Sequence, residues 1–212
     1  MDSIVETTSD NQRQQIRSEI RRRRRALSGA EQQLAAQQAA QQAVSFLPVS
    51  QAKKIALFLS VDGELDTRPL IELLWQRGQQ VYLPVLHPFS AGNLLFIRYQ
   101  PETLLRPNQL RIPEPGLDIR QMATLDELDV ILVPLVAFDA QGQRLGMGGG
   151  YYDRTLQRWQ QHGCLPVGFA HHCQQVGELP VADWDIPLPA LITPDRVWQW
   201  PPPVPASDSP VN

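Results

Sequence analysis

The sequence predicts an α/β fold: a single domain with a largely parallel open sheet flanked by helices, preceded by a helical N-terminal extension. Three observations predict it. Residues 54–61 (KIALFLSV) and 81–86 (VYLPVL) are short apolar runs of the buried-strand kind. Between them, residues 66–78 (DTRPLIELLWQRG) carry a helical pattern. Strand, helix and strand in roughly thirty residues make a βαβ unit, which closes with parallel strands and a right-handed crossover. The third observation is residues 129–138 (DVILVPLVAF), the strongest buried strand in the chain. That run contains a proline and is far too short to span a bilayer.

The remaining elements follow in chain order. Residues 1–9 (MDSIVETTS) read as a mobile lead-in. A helix is predicted from Asp10 to Leu27, polar and very basic, with Ile16 and Ile20 four apart on one face. Ser28 and Glu31 match a capping box, so a second helix starts there and runs towards Leu47. It is rich in Ala and Gln, with Leu34 and Val44 among its few strongly apolar positions, and its repeated Gln pairs read as a solvated face. The next helix has Asp66 or Thr67 as its cap, Pro69 in its first turn and Gly78 after its end. Leu94–Tyr99 reads as a further strand, set antiparallel. Residues 100–125, with prolines at 101, 107, 113 and 115, form a long irregular connection, of a length that is often functional in a compact domain. A glycine-rich loop follows the strongest strand, then a helix from Tyr151 to His162 with Leu156 and Trp159 facing inward. Short closing strands are expected at 166–170 and 190–193. Residues 1–200 make the single domain, and 201–212 (PPPVPASDSPVN) read as a disordered tail with nothing to bury.

Net charge is −3, so the protein as a whole is not built to bind polyanions. Cys164 and Cys173 lack CxxC spacing, and two thiols in a chain of this size fit a reducing compartment better than a disulfide framework. The N-terminus has no apolar core like that of a signal peptide. A cytoplasmic protein with no membrane partner is the expectation. Arg21–Arg25 points elsewhere, since five consecutive arginines suggest a nucleic-acid patch. Successive residues spread around a helix, however, and the acidic remainder lends them no basic surface. They read as a solvated helix, with no specific nucleic-acid partner. His171-His172-Cys173 resembles a metal-site fragment, but adjacent residues on a strand point to opposite faces. Trp184, Trp198 and Trp200 read as cover for the core.

Chemistry concentrates in residues 143–156 (QRLGMGGGYYDRTL). Five of the thirteen glycines lie from Gly142 to Gly150, and Tyr151, Tyr152, Asp153 and Arg154 follow at once. Open α/β sheets bind ligands where strands hand over to helices. A bare backbone there lets successive N–H groups converge on an anion, with the next helix's positive end behind them. Arg144 adds a forked cation suited to phosphate oxygens, and Asp153 on the first helical turn could serve Mg²⁺ or cap the helix. Gly146, Gly148 and Gly150 give neither the P-loop spacing nor GxGxxG. A flexible linker would share the glycines, but linkers rarely end in Tyr-Tyr-Asp-Arg at a helix start. On these residues, a phosphate-ligand-binding regulator without turnover stays open beside a CoA- or phosphoryl-transfer enzyme.

Residues 138–156 (FDAQGQRLGMGGGYYDRTL) resemble the signature of the 5-formyltetrahydrofolate cyclo-ligase (methenyltetrahydrofolate synthetase) family, a pattern of the form FD-x-x-G-x-RLG-x-G-x-GYYD. FLSVDGELDT at 58–67, Arg13 and Arg17 ahead of the arginine run, and DWDIPLP at 183–189 are similar to other family segments, so the resemblance covers about residues 11–198. It implies a sheet of the sugar-isomerase and CoA-transferase-like type. It also implies ATP-driven closure of 5-formyltetrahydrofolate to 5,10-methenyltetrahydrofolate, with Mg²⁺, releasing ADP and phosphate. Carried over by position, ATP binding falls to Arg13, Arg17, Arg144, Leu145, Gly146, Met147, Gly148, Gly149, Gly150, Tyr151 and Tyr152, with Arg144 and Tyr152 catalytic. Leu59, Glu64, Met147, Gly148, Gly149, Gly150 and Tyr151 would contact the folate, and Asp153 and Asp185 would hold magnesium. Arg13 stands where relatives often have lysine, and Pro189 where a second Asp is common. Met147 and Gly149 replace basic residues found in many relatives, which shifts phosphate neutralisation towards Arg144 and the N-terminal arginines. The implied partners are reduced folate and ATP, acting on a monomer.

Overall fold

The computed structural model describes residues 2–201, with side chains from residue 9 onward. The tail expected to be disordered therefore lies, beyond Pro201, outside the described residues. The helices are α1 (Asp2–Ala26), α2 (Gly29–Ser45), α3 (Leu47–Gln51), α4 (Arg68–Gln76), α5 (Tyr151–Leu156) and α6 (Trp159–His162). The first six strands are β1 (Lys54–Ala56), β2 (Gln80–Leu86), β3 (Leu94–Tyr99), β4 (Leu105–Pro107), β5 (Pro113–Pro115) and β6 (Met122–Ala123). The remaining six are β7 (Val130–Val133), β8 (Ala137–Phe138), β9 (Arg144–Leu145), β10 (Leu165–Phe169), β11 (Ala190–Ile192) and β12 (Val197–Gln199).

Eight strands form one sheet in the order β12-β11-β10-β7-β1-β2-β3-β6. The five from β11 to β2 run parallel, and antiparallel strands close both edges. The mixed α/β domain with a large, mostly parallel sheet is thus the fold the sequence predicts. β7 shows why its run is apolar throughout. Val130 and Leu132 join the cluster under α2, α3 and α4, while Ile131 and Val133 join Phe138, Leu156 and Leu191 on the other face. With helices on both sides, neither set of alternating positions meets water.

Several elements depart from expectation, each for a local reason. α2 does carry the Ser28–Glu31 capping box, but Leu34 is exposed. Its buried face is Ala36, Ala39, Ala40 and Ala43, a stripe at helical spacing that brings the helix close without ordering a long side chain. α1 begins at Asp2, so the backbone of the supposed lead-in is helical. Ile20, with Ile16 beside it, packs against Val136, Ala137, Leu145 and Leu179. The strand expected over 129–138 is two strands. The ladder stops at Val133 because Pro134 has no N–H to donate, and β8 then pairs antiparallel with β9. The glycine loop therefore leaves a hairpin arm rather than the central strand. The helix expected over 151–162 divides into α5 and α6, with Leu156 buried and Trp159 packed against the same cluster. Trp198 and Trp200 do cover the core, whereas Trp184 is 61% exposed. No helix among the described residues is long and apolar enough to cross a membrane.

Candidate functional site

A cavity of about 530 Å³ opens beyond the carboxyl ends of β1, β2 and β7, a size ordinary for small-molecule sites. One side is apolar, formed by Leu83 and Leu86 at the end of β2, Leu94, and Leu110 and Ile112 from the segment between β4 and β5. The opposite side is polar: Glu64, Arg144, Asp153, Tyr152 and the glycine loop. The connection at 100–125 thus contributes a wall, through an antiparallel ribbon of β4 and β5 that proline-rich sequence gave no pattern to foresee. Glu114 ties that ribbon to the sheet, accepting from the Leu86 N–H at 3.2 Å and the Asn108 amide at 2.9 Å.

The loop is held from outside by its carbonyls. Gly146 O accepts from Arg17 Nε at 2.9 Å, and Gly149 O accepts from the Arg154 guanidinium. Among the described residues, the N–H groups of residues 147–150 donate to no backbone carbonyl outside helices and strands. Carbonyls drawn outward by arginines leave the backbone donors to face an anion. Gly148 (φ +103°) and Gly150 (φ +64°) lie in the left-handed region, which makes the winding accessible to glycine and strained for a side chain.

Asp139 anchors the hairpin ahead of the loop. It is 1% exposed. Its Oδ1 accepts from the N–H groups of Gln141 (2.9 Å) and Gln143 (3.1 Å), and its Oδ2 from that of Leu179 (3.1 Å). Sequence reasoning matched this Asp within the family pattern without giving it a task. A buried acid at the head of a turn was the available signal.

Arg144 is buried, lines the cavity and donates to Asp153. Burial draws its guanidinium below the ordinary value, and the charges of Asp153 and Asp185 oppose that pull. Arg13 reaches from α1 to the 180–185 loop, donating to Asp185 and, at 3.2 Å, to the carbonyl of Pro180. Asp185 Oδ2 also accepts the Ala182 N–H at 2.8 Å. The structure thus brings Arg13, Arg17, Arg144, Asp153 and Asp185 to one end of the cavity region. Leu59, Met147, Gly149, Gly150 and Tyr151 line the cavity; Leu145 sends its side chain into the core under α1, and only its backbone belongs to the loop. Gly148 faces Arg17. Tyr152 is partly packed against the core, and its hydroxyl is buried with no hydrogen-bond partner. Burial pushes its phenol well above the ordinary value, Glu64 adds to the push, and Arg144 opposes it. The hydroxyl is therefore a neutral donor.

Asp153 and Asp185 each have one carboxylate oxygen engaged by arginine and the other without a protein hydrogen bond. Hard oxygen donors of this kind fit Mg²⁺, which usually takes one or two carboxylates and completes its shell with water and phosphate oxygens. Among the described residues no group of three or more His, Cys, Asp or Glu side chains could hold a metal. His171 is not on a strand: it caps the one-turn helix His172–Gln174, is buried, and is driven down to about 4 by burial, with Arg24 adding to the shift.

The arginine run also departs from expectation. Arg24 is fully buried, and Arg21, Arg24 and Arg25 all approach Asp62, while Arg22 and Arg23 pair with Glu19. Only part of the run is solvated.

Comparison with known proteins finds relatives along most of the chain. Residues 9–194 match the model of the 5-formyltetrahydrofolate cyclo-ligase family. The chain is 61% identical over 181 residues to the 5-formyltetrahydrofolate cyclo-ligase of Escherichia coli (strain K12), covering 85% of this chain and 100% of that one. It is 28% identical over 200 residues to the Mus musculus protein of the same name, covering 91% and 98%. The solved structure of Aquifex aeolicus 5,10-methenyltetrahydrofolate synthetase superposes with a TM-score of 0.76 at 29% identity, over 92% of this chain and 97% of that one.

Proposed function

The chain belongs to the 5-formyltetrahydrofolate cyclo-ligase family, and from that premise we propose how its pocket divides the work. It is an ATP-dependent cyclo-ligase, closing 5-formyltetrahydrofolate to 5,10-methenyltetrahydrofolate with release of ADP and phosphate. The observation that carries the reading is the polarity of the cavity. The ring systems of a folate fit the wall of Leu83, Leu86, Leu94 and Ile112, and a triphosphate fits the end formed by Arg144 and the glycine loop, where the N–H groups of residues 147–150 donate to no backbone carbonyl outside helices and strands. Arg13 and Arg17 add positive charge to that end from α1. Leu59 and Glu64 meet the folate, the carboxylate of Glu64 accepting from pterin N–H donors.

The amide oxygen of an N5-formyl group is a poor leaving group, so attack by N10 stalls unless that oxygen is activated. The formyl oxygen bonds to the γ-phosphorus as the bond from phosphorus to the β-phosphate oxygen breaks, and ADP leaves. N10 then adds to the formyl carbon and loses its proton. The carbon–oxygen bond breaks, and phosphate departs with the original formyl oxygen. Such a transfer needs alignment and charge stabilisation more than covalent chemistry. Arg144 and the loop supply both, and the Tyr152 hydroxyl supplies a neutral hydrogen bond near the reacting groups. Mg²⁺, held by Asp153 and Asp185, would neutralise phosphate charge. The proposal includes action as a monomer in the cytoplasm.

Labelling tests the sequence of bonds. 5-Formyltetrahydrofolate carrying ¹⁸O in its formyl group is expected to deliver the label to inorganic phosphate. Label in water, with none in phosphate, would mean that ATP hydrolysis drives some other step. The metal assignment is checked separately: Asp153→Asn and Asp185→Asn should each need more Mg²⁺ for half-maximal rate, because an amide oxygen is the weaker ligand for a hard cation. Lower thermal stability with an unchanged magnesium titration would assign both residues to structure alone.

A further inference from the structure

Arg21, Arg24 and Arg25 lie at i, i+3 and i+4 along α1 and so share one face. That face meets Asp62. Arg21 Nε lies 3.4 Å from Asp62 Oδ2, Arg24 Nη2 donates to the same oxygen at 3.3 Å, and Arg25 donates to Oδ1 at 2.8 and 2.5 Å. Asp62 is the second residue of the turn Val61-Asp62-Gly63-Glu64, closed by the Glu64 N–H donating to Val61 O at 3.0 Å. Both central residues have positive φ, +50° at Asp62 and +73° at Gly63, the winding of a type I′ turn. Glycine adopts it freely; Asp62 is held there with three guanidinium groups on its carboxylate. A Cβ at Gly63 would lie 3.4 Å from the Arg24 Cβ, so helix and turn touch.

The turn ends on Glu64, which lines the pocket and is 5% exposed. Its Oε2 accepts from the Val61 N–H at 3.0 Å, and its Oε1 lies 4.0 Å from Nη1 of fully buried Arg24. Neither Oε1 nor the Nε and Nη1 of Arg24 has a hydrogen-bond partner. Buried polar atoms are almost always paired, and three unpaired ones gather here around Glu64, which lines the cavity. Burial pushes Glu64 up to about 7, and Arg24 opposes that push while Asp62 adds to it. Tyr152 on α5 also feels the charge of Glu64, and His171 and Cys173 feel that of Arg24.

We propose that Arg24 is a positioning residue for the cyclisation: from beneath the pocket floor, together with the clamp that Arg21 and Arg25 place on Asp62, it fixes the Glu64 carboxylate for the reduced folate. The inference rests on Glu64 being a folate contact.

Steady-state kinetics of the full chain with Arg24→Met, Arg24→Lys, Glu64→Gln and the Arg24→Met/Glu64→Gln pair test it. Arg24→Met is expected to raise KM for 5-formyltetrahydrofolate roughly tenfold, the scale on which a misplaced Glu64 loses its charged hydrogen bond to the folate, without changing KM for ATP. Arg24→Lys should recover most of that loss, and the double variant should be no worse than Glu64→Gln alone, as for two residues acting through one contact. Equal changes in both KM values, or a loss that adds in full to that of Glu64→Gln, would overturn the role of Arg24. A folate KM unchanged by Glu64→Gln would instead remove Glu64 from the substrate contacts, and the inference with it. Should Arg24→Met not fold, Asp62→Asn keeps a residue tolerant of positive φ while removing the charge of the clamp. It is expected to raise the folate KM alone, and an unchanged value would overturn the proposal.

Discussion

Arg144→Met is expected to lower kcat/KM for ATP by roughly tenfold to over a hundredfold while the chain stays folded. Arg144 lines the cavity, donates to Asp153 and has a buried Nε with no hydrogen-bond partner. A charge-assisted contact to phosphate is worth about 1.5–3 kcal/mol, and each 1.36 kcal/mol is a factor of about ten in rate. Methionine retains much of the buried volume, so packing loss contributes little to the result. The measurement is ADP release that depends on 5-formyltetrahydrofolate, across a range of ATP concentrations. Wild-type turnover and ATP affinity would place the triphosphate somewhere other than this loop.

Asp139→Ala is expected to have the largest effect on stability. The carboxylate is 1% exposed and accepts three backbone N–H groups, from Gln141, Gln143 and Leu179. The Leu179 bond is buried and the other two part-buried; a buried donor left unpaired costs about 1–3 kcal/mol and a part-buried one less, so the total is about 3 kcal/mol. For a chain of this size that corresponds to a fall in melting temperature of roughly 10 °C. Two of the donors set the β8–β9 turn and the third ties down the segment after the His172–Gln174 turn, so the glycine loop should loosen as well. A melting curve superposable on that of wild type would show that water replaces the carboxylate without cost.

The sequence made the sheet legible where burial was two-sided. β2, β7 and β10 are apolar because both their faces are packed, and such runs stand out without any partner in view. Pro134 was visible too, but within a strand it marks either an edge or an end, and only the pairing of Phe138 with Arg144 shows that it ends one. The glycine loop and its Tyr-Tyr-Asp-Arg were legible as a unit because their chemistry is local. Asp62 and the arginines were not. An i, i+3, i+4 arginine face acquires meaning only from what lies opposite, and Asp62 is 38 positions from Arg24. The alanine face of α2 failed for a related reason: small side chains carry a weak hydrophobic signal, yet they permit the closest approach.

The contacts of α1 also set the order in which the molecule becomes competent. Arg13 meets Pro180 and Asp185 at sequence separations of 167 and 172, and Arg17 meets Gly146 at 129. The helix is made 129 or more residues before these partners. At ribosomal rates of about 5–20 residues per second, it waits on the order of ten seconds or more for them. A chain still being translated therefore has strands β1 and β2 well before Arg13 and Arg17 meet their partners. On the proposed division of the pocket, ATP turnover awaits the 180–185 loop, and a product that stops short of Asp185 is expected to consume none.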